Sequence, residues 1–276
     1  MISKFLKKLF KNPNSKKLLK SISLSGKKSL LMRQINYDKF KNINQAEFKI
    51  FSQNGEDGII DFFLYKLKIP NPLYVEIGVE NYEEANTRFL YETTNSHGLI
   101  IDGTIDKENL DDELEVWKGR LKIIKDYVTP ENVCPILKEN GFNKNLDLFS
   151  IDIDGIDYWI LKQLPEKFSK ICVAEYNPLF GSKYKITVPY INNFNRTNYH
   201  YSNLCWGMSL KALINIMEKK RFLFLGTNSF KNNAFFVLED YFDAFRELVP
   251  DYKNEIDKYV NHEFMESRNK KKKLTY

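Results

Sequence analysis

The segment Leu146-Asp147-Leu148-Phe149-Ser150-Ile151-Asp152-Ile153-Asp154-Gly155-Ile156-Asp157 decides the fold. Leu146, Leu148, Phe149 and Ile151 make an apolar run that reads as a buried strand extending to Ile153, and three carboxylates crowd the turn into which it empties. Open α/β sheets place their ligands at the carboxyl ends of their strands. Carboxylates this close repel one another and are kept where a cation, a hydrogen-bond network or a shifted pKa compensates. The competing reading is an acidic turn facing solvent.

Outward from this segment the chain alternates between short apolar runs and helical patterns. Strands are predicted at Leu73–Ile77, Leu99–Ile101, Leu121–Ile124, Leu146–Ile153 and Ile171–Ala174. Helices are predicted at Glu83–Tyr91, at Lys107–Trp117, after Thr129-Pro130-Glu131, and at Tyr158–Leu164; the third opens with a capping hydroxyl and a proline in its first turn. Each crossover must return the chain to the same end of the sheet, which implies parallel strands. Residues 176–206 then lose periodicity and carry Phe180, Tyr184, Tyr190, Phe194, Tyr199, His200, Tyr201 and Trp206, a stretch read as a lid. A helix over Ser209–Lys219 and a hairpin of Phe222–Leu225 with Ala234–Val237 complete the pattern. The expected architecture is an α/β, Rossmann-like, doubly wound, mostly parallel seven-stranded sheet with an antiparallel last strand.

The 276 residues are 43% apolar and 14% aromatic, enough for a substantial core. The net charge of +6 belongs to the ends. Met1 to Arg33 holds ten Lys and Arg and no acid, Arg268 to Lys273 holds five more, and the body between them is net negative. A nucleic-acid groove in that body is not expected. The division predicted is a basic helical arm over residues 1–43, a catalytic domain over 44–262 with a lid at about 177–206, and a basic tail over 263–276. In the arm, Ile2, Phe5, Leu6, Leu9 and Phe10 fall at helical spacing opposite Lys4, Lys7, Lys8 and Lys11, the pattern of a helix lying on a membrane surface or packed on its own protein. The start lacks the pattern of an export signal and no run is long enough to span a bilayer. Cys134, Cys172 and Cys205 show no ligand-like spacing and read as reduced thiols of a cytoplasmic protein, peripheral at most at the inner membrane surface.

Every one of the first five predicted strands ends on an acid: Glu76 with Glu80, Asp102, Asp126, Asp152 with Asp154, and Glu175 followed by Asn177. A carboxylate at the end of the second strand, here Asp102, is placed to bind both ribose hydroxyls of a nucleoside, or else to cap a turn. A nicotinamide dehydrogenase needs a glycine-rich first turn, and only Gly78 stands there. Asp152-x-Asp154-Gly155 resembles the nucleophile motif of haloacid-dehalogenase-type phosphatases, but three strands precede it where that fold has none. A metal-dependent glycosyltransferase using Asp152-x-Asp154 on a nucleotide-sugar stays open.

Several segments in order resemble the class I S-adenosylmethionine-dependent methyltransferases, within them the FkbM-related group. They are Ser52 to Gly58, Tyr74 to Glu80, Asn86-Thr87-Arg88, Ile101-Asp102-Gly103, Val128 to Asn132, Ser150 to Tyr158, Ala174 to Pro178 and Asn233 to Val237. The resemblance implies that Glu76 and Gly78 flank the methionine part of S-adenosylmethionine, Asp102 holds its ribose and Asp126 approaches its adenine. Glu80 and Tyr82 depart from the pattern, standing where small residues would bring the backbone close to the cofactor.

The function expected is O-methyl transfer to a hydroxyl of a small-molecule or glycan acceptor, in carbohydrate modification and polysaccharide biosynthesis. A non-catalytic relative is the alternative beside the glycosyltransferase. Methyl transfer requires an aligned acceptor oxygen and removal of its proton. Asp152 and Asp154, with Glu175 and Asn177, are candidate ligands for magnesium or manganese. Without metal, Asp152, Asp154 or His200 is the candidate base.

Overall fold

The computed structural model describes Gly26 and residues 29–249, apart from 115, 117, 118 and 182. The chain divides into two compact units, Met1–Phe40 and Lys41–Tyr276. In the first, residues 29–34 are helical and a single 3-10 turn covers Tyr37–Lys39. The predicted amphipathic helix at residues 2–10, the basic tail and the end of the catalytic domain at 262 lie outside the described residues.

The second unit is built on β1 (Leu73–Ile77), β2 (His97–Ile101), β3 (Leu121–Ile124), β4 (Leu146–Ile151), β5 (Ser169–Glu175), β6 (Phe222–Thr227) and β7 (Asn233–Leu238). They form one sheet in the order β3-β2-β1-β4-β5-β7-β6. The first five strands are mutually parallel, while β7 runs antiparallel to both β5 and β6. This is the Rossmann-like, doubly wound sheet with one reversed strand that the sequence predicts. Its order reverses between β1 and β4, the point at which such sheets bind ligands.

The α-helices are α1 (Glu56–Lys66), α2 (Arg88–Thr93), α3 (Lys107–Leu114), α4 (Val133–Glu139), α5 (Asp157–Gln163), α6 (Arg196–Tyr199) and α7 (Leu210–Lys219). Side chains alternate across the sheet with period two. Val75, Ile77, Leu99, Ile101, Phe149, Ile151, Cys172 and Phe236 share one core with Val133 and Leu137 of α4, Ile160 and Leu161 of α5, and Leu213 and Met217 of α7. Phe235 points the other way, against Phe63 of α1 with ring centroids 5.9 Å apart. Such an apolar ring contributes about 1.5–3 kcal/mol when fully buried. With both faces covered, the strands read as continuous apolar runs rather than alternating ones.

Several predicted boundaries shift, each for a local reason. The helix expected at Glu83–Tyr91 begins only at Arg88, because the Glu76 carboxylate draws the N–H groups of Asn86 and Thr87 toward the sheet. The strand expected to reach Ile153 stops at Ile151, since the Ile153 N–H turns to Asp157 Oδ1 at 3.0 Å instead of continuing a ladder. The helix expected to reach Trp117 is described to Leu114. In the hairpin, Gly226 and Thr227, beyond the expected strand Phe222–Leu225, belong to β6, where an irregularity between Phe224 and Gly226 shifts the register.

Candidate active site

The carboxyl ends of β1, β2, β4 and β5 open onto a common edge, and the reversed β7 begins there. Glu76, the fourth residue of β1, is 2% exposed. Its carboxylate accepts Asn86 N–H at 2.8 Å, Thr87 N–H at 2.9 Å and the Thr87 hydroxyl at 2.5 Å. Burial pushes its pKa up to about 7, against those hydrogen bonds. Glu76 therefore organises the connection into α2 from inside the fold.

Gly78 follows β1 with φ of +83°. A Cβ there would lie 1.7 Å from the carbonyl oxygen of Asp152, so the position requires glycine to let β1 and β4 converge. The turn continues with Glu80 at φ +47° and Tyr82 at +61°, both left-handed. These are the two residues that depart from the resemblance noted in the sequence, and they hold the backbone shape that glycine adopts without cost. Tyr82 compensates by burial: its hydroxyl lies 3.2 Å from that of Tyr74 and 2.9 Å from Thr87 Oγ1.

Asp102, just past β2, is partly exposed. Its Oδ2 accepts the N–H groups of Val79 at 3.0 Å and Glu80 at 2.8 Å, while Oδ1 accepts the N–H and hydroxyl of Thr104, each at 2.7 Å. Four donors fill the accepting capacity of a carboxylate. The residue expected to hold a ribose thus also ties the first turn to β2. Asp126 is exposed beyond β3, and the Tyr127 ring beside it lies over Gly103.

Beyond β4 the three carboxylates separate into three roles. Asp157, 1% exposed, accepts Ile153 N–H at 3.0 Å and Gly155 N–H at 3.1 Å and so closes the turn; burial raises its pKa to about 6. Asp154, at φ +51°, forms an ion pair with Arg196 of α6, both side chains being partly exposed. Asp152 pairs with Glu175, whose neighbours Ile151 and Ala174 are matched in the β4–β5 register. Glu175 is 8% exposed and its Oε2 is buried without a hydrogen-bond partner. Burial raises the pKa of Asp152 to about 7 and raises that of Glu175, on which the charge of Asp152 acts in the same direction, so the pair shares a proton near neutral pH.

Asn177 is engaged by its own loop. Its amide donates to the carbonyls of Leu204 and Trp206 at 2.8 and 3.0 Å, and its Oδ1 accepts Leu179 N–H at 3.0 Å. Among the described residues no group of three or more His, Cys, Asp and Glu is placed to hold a metal ion. The magnesium or manganese ligand set expected from Asp152, Asp154, Glu175 and Asn177 is not assembled. His200 is turned into its own loop, with Nδ1 2.7 Å from Ser202 Oγ and its ring 4.3 Å from that of Tyr201.

The aperiodic stretch folds over this edge. Phe194 lies against Gly155, Gly207 N–H donates to Gly155 O at 2.9 Å, and the Trp159 indole donates to Val188 O at 2.8 Å. The Tyr190 hydroxyl donates to Glu131 at 2.6 Å. Phe180 is buried, Tyr190, Phe194 and Trp206 are half-buried, and Tyr184, Tyr199 and Tyr201 are exposed. The rings therefore divide between core filling and open surface.

Sequence reasoning placed Glu80 in the row of strand-end acids and Arg196 among the polar groups of the lid, but brought neither to Asp154. Glu80 lies within electrostatic reach of Asp154, which Arg196 neutralises. Their meeting with Asp154 carries no local signal, since each reaches the β4 turn only through tertiary folding.

No protein-family model matches the chain, and no curated protein does. Among solved structures, the N-terminal domain of EvdMO1 with SAH bound is similar at 12% identity and a TM-score of 0.42, over 76% of this chain and 94% of that one. An O-methyltransferase family protein from Burkholderia thailandensis is similar at 7% identity and a TM-score of 0.39, over 66% of this chain and 58% of that one. A putative hemolysin from Lactococcus lactis is similar at 14% identity and a TM-score of 0.41, over 70% of this chain and 91% of that one.

Proposed function

We propose that this chain is an S-adenosylmethionine-dependent methyltransferase that acts in the cytoplasm on a hydroxyl of a carbohydrate or glycoconjugate. The observation that carries the reading is the convergence, at the switch point of a sheet with a reversed β7, of Asp102, the 78–82 turn and the Asp152–Glu175 pair. Asp102 and the backbone of the turn are the groups that would hold the cofactor, which supplies an electrophilic methyl group when bound. Ribose hydroxyls would take the place of the Val79 and Glu80 N–H donors on Asp102.

The chain's own residues supply the rest. Asp152, partly exposed and with its pKa raised by burial to about 7, is the proton acceptor for the attacking hydroxyl. Glu175, hydrogen-bonded to Asp152, orients it and shares its proton. The exposed faces of Tyr184, Tyr199 and Tyr201 suit the apolar faces of sugars, and exposed Asn192, Asn193 and Asn195 suit their hydroxyls.

A second reading, a relative that binds no cofactor, is favoured by the four donors already on Asp102. Calorimetric titration with S-adenosylhomocysteine, set against UDP- and GDP-sugars, separates the possibilities. Binding of the first supports methyl transfer, binding of a nucleotide-sugar alone moves the reading to glycosyl transfer, and binding of neither leaves the non-catalytic relative.

A further inference from the structure

Leu31, Met32 and Ile35 are 62%, 57% and 64% exposed. Ile35 N–H donates to Leu31 O at 3.2 Å, so the helical turn that begins at residue 29 carries on through Ile35. Positions three and four apart on a helix are neighbours, which places all three side chains on one face. Large apolar residues clustered in water mark a surface that meets something.

The charge of the sequence that precedes this face identifies its partner. From Met1 to Arg33 the sequence has ten Lys and Arg without one Asp or Glu, and Lys27 and Lys28 directly precede the apolar trio. An anionic bilayer answers both features, because headgroups attract the lysines while the acyl boundary accepts Leu, Met and Ile. A nucleic acid would satisfy the cations and leave the apolar face wet. A second copy of the chain meeting it through the same face would bring like charges together.

We propose that the Leu31–Met32–Ile35 face docks on an anionic lipid membrane, with the basic residues ahead of it at the headgroups. The proposal is independent of the methyl-transfer reading.

The test is sedimentation of the full chain with vesicles of phosphatidylcholine alone or with about one third phosphatidylglycerol. Binding to the anionic vesicles is expected to be at least about tenfold tighter and to weaken at high salt. Leu31→Asp with Ile35→Asp should lower it about tenfold or more, and the milder pair Leu31→Ala with Ile35→Ala about fivefold, with the circular dichroism of both unchanged. Equal binding to both vesicles, or binding that neither pair alters, overturns the proposal. So does a dimer seen by analytical ultracentrifugation that the aspartate pair dissolves, or tighter retention of an RNA homopolymer than of anionic vesicles.

Discussion

The carboxylate of Asp102 accepts the backbone N–H of Glu80 at 2.8 Å, tying the tip of β2 to the left-handed turn that follows β1. One carboxylate thus serves the shape of the turn and the expected seat of a ribose. Asp102→Ala is predicted to weaken S-adenosylhomocysteine binding by about 1.5–3 kcal/mol, the value of hydrogen bonds to a charged group, and to lower stability by about 1–2 kcal/mol through the loosened turn. Calorimetry and thermal melting read the two effects separately. An unchanged affinity in the folded variant would remove Asp102 from the cofactor reading.

Asp152→Asn is predicted to lower turnover about 10²- to 10⁴-fold while the protein stays folded. The active form of Asp152 is the carboxylate, and its pKa is raised to about 7, so wild-type turnover should climb as pH rises through about 7. Glu175→Gln keeps a donor facing Asp152 and should retain most activity, whereas Glu175→Ala should not. A wild-type rate that is flat from about pH 5 to 9 would sink the assignment of Asp152 as base.

Stability should fall, not rise, between weakly acidic and neutral pH. Folded Glu76 holds its proton up to about pH 7, while the unfolded chain releases it near 4.5. Between these values the folded state binds more protons, so raising pH favours unfolding, and the raised pKa values of Asp152 and Asp157 act in the same direction. The thermal midpoint is expected to drop by about 3–10 °C from pH 5 to 8, with a shallower drop in Glu76→Gln. A midpoint that rises over this range refutes the account.

Gly78→Ala is predicted to be destabilising by more than about 3 kcal/mol, combining a strained φ with a Cβ driven into the Asp152 carbonyl. Urea denaturation measures it. A loss under about 1 kcal/mol would mean that β1 and β4 separate easily at their tips.

The strands of the sheet, its reversed last strand and the row of acids at its edge were legible in the chain itself. Runs such as Leu73–Ile77 and Leu121–Ile124 carry a local hydrophobic signal that needs no partner, and their observed bounds match it. Tertiary structure alone decided what each acid does. Glu76, Asp102, Asp152, Asp157 and Glu175 look alike in sequence, yet Glu76 and Asp157 spend their oxygens on nearby N–H groups, and Asp102 bridges to the turn 22 and 23 residues before it. Asp152 and Glu175 become a proton-sharing pair only because β4 and β5 lie side by side. A strand's apolar pattern is set by its own residues, whereas the protonation and reach of a carboxylate depend on burial and on donors from elsewhere in the chain.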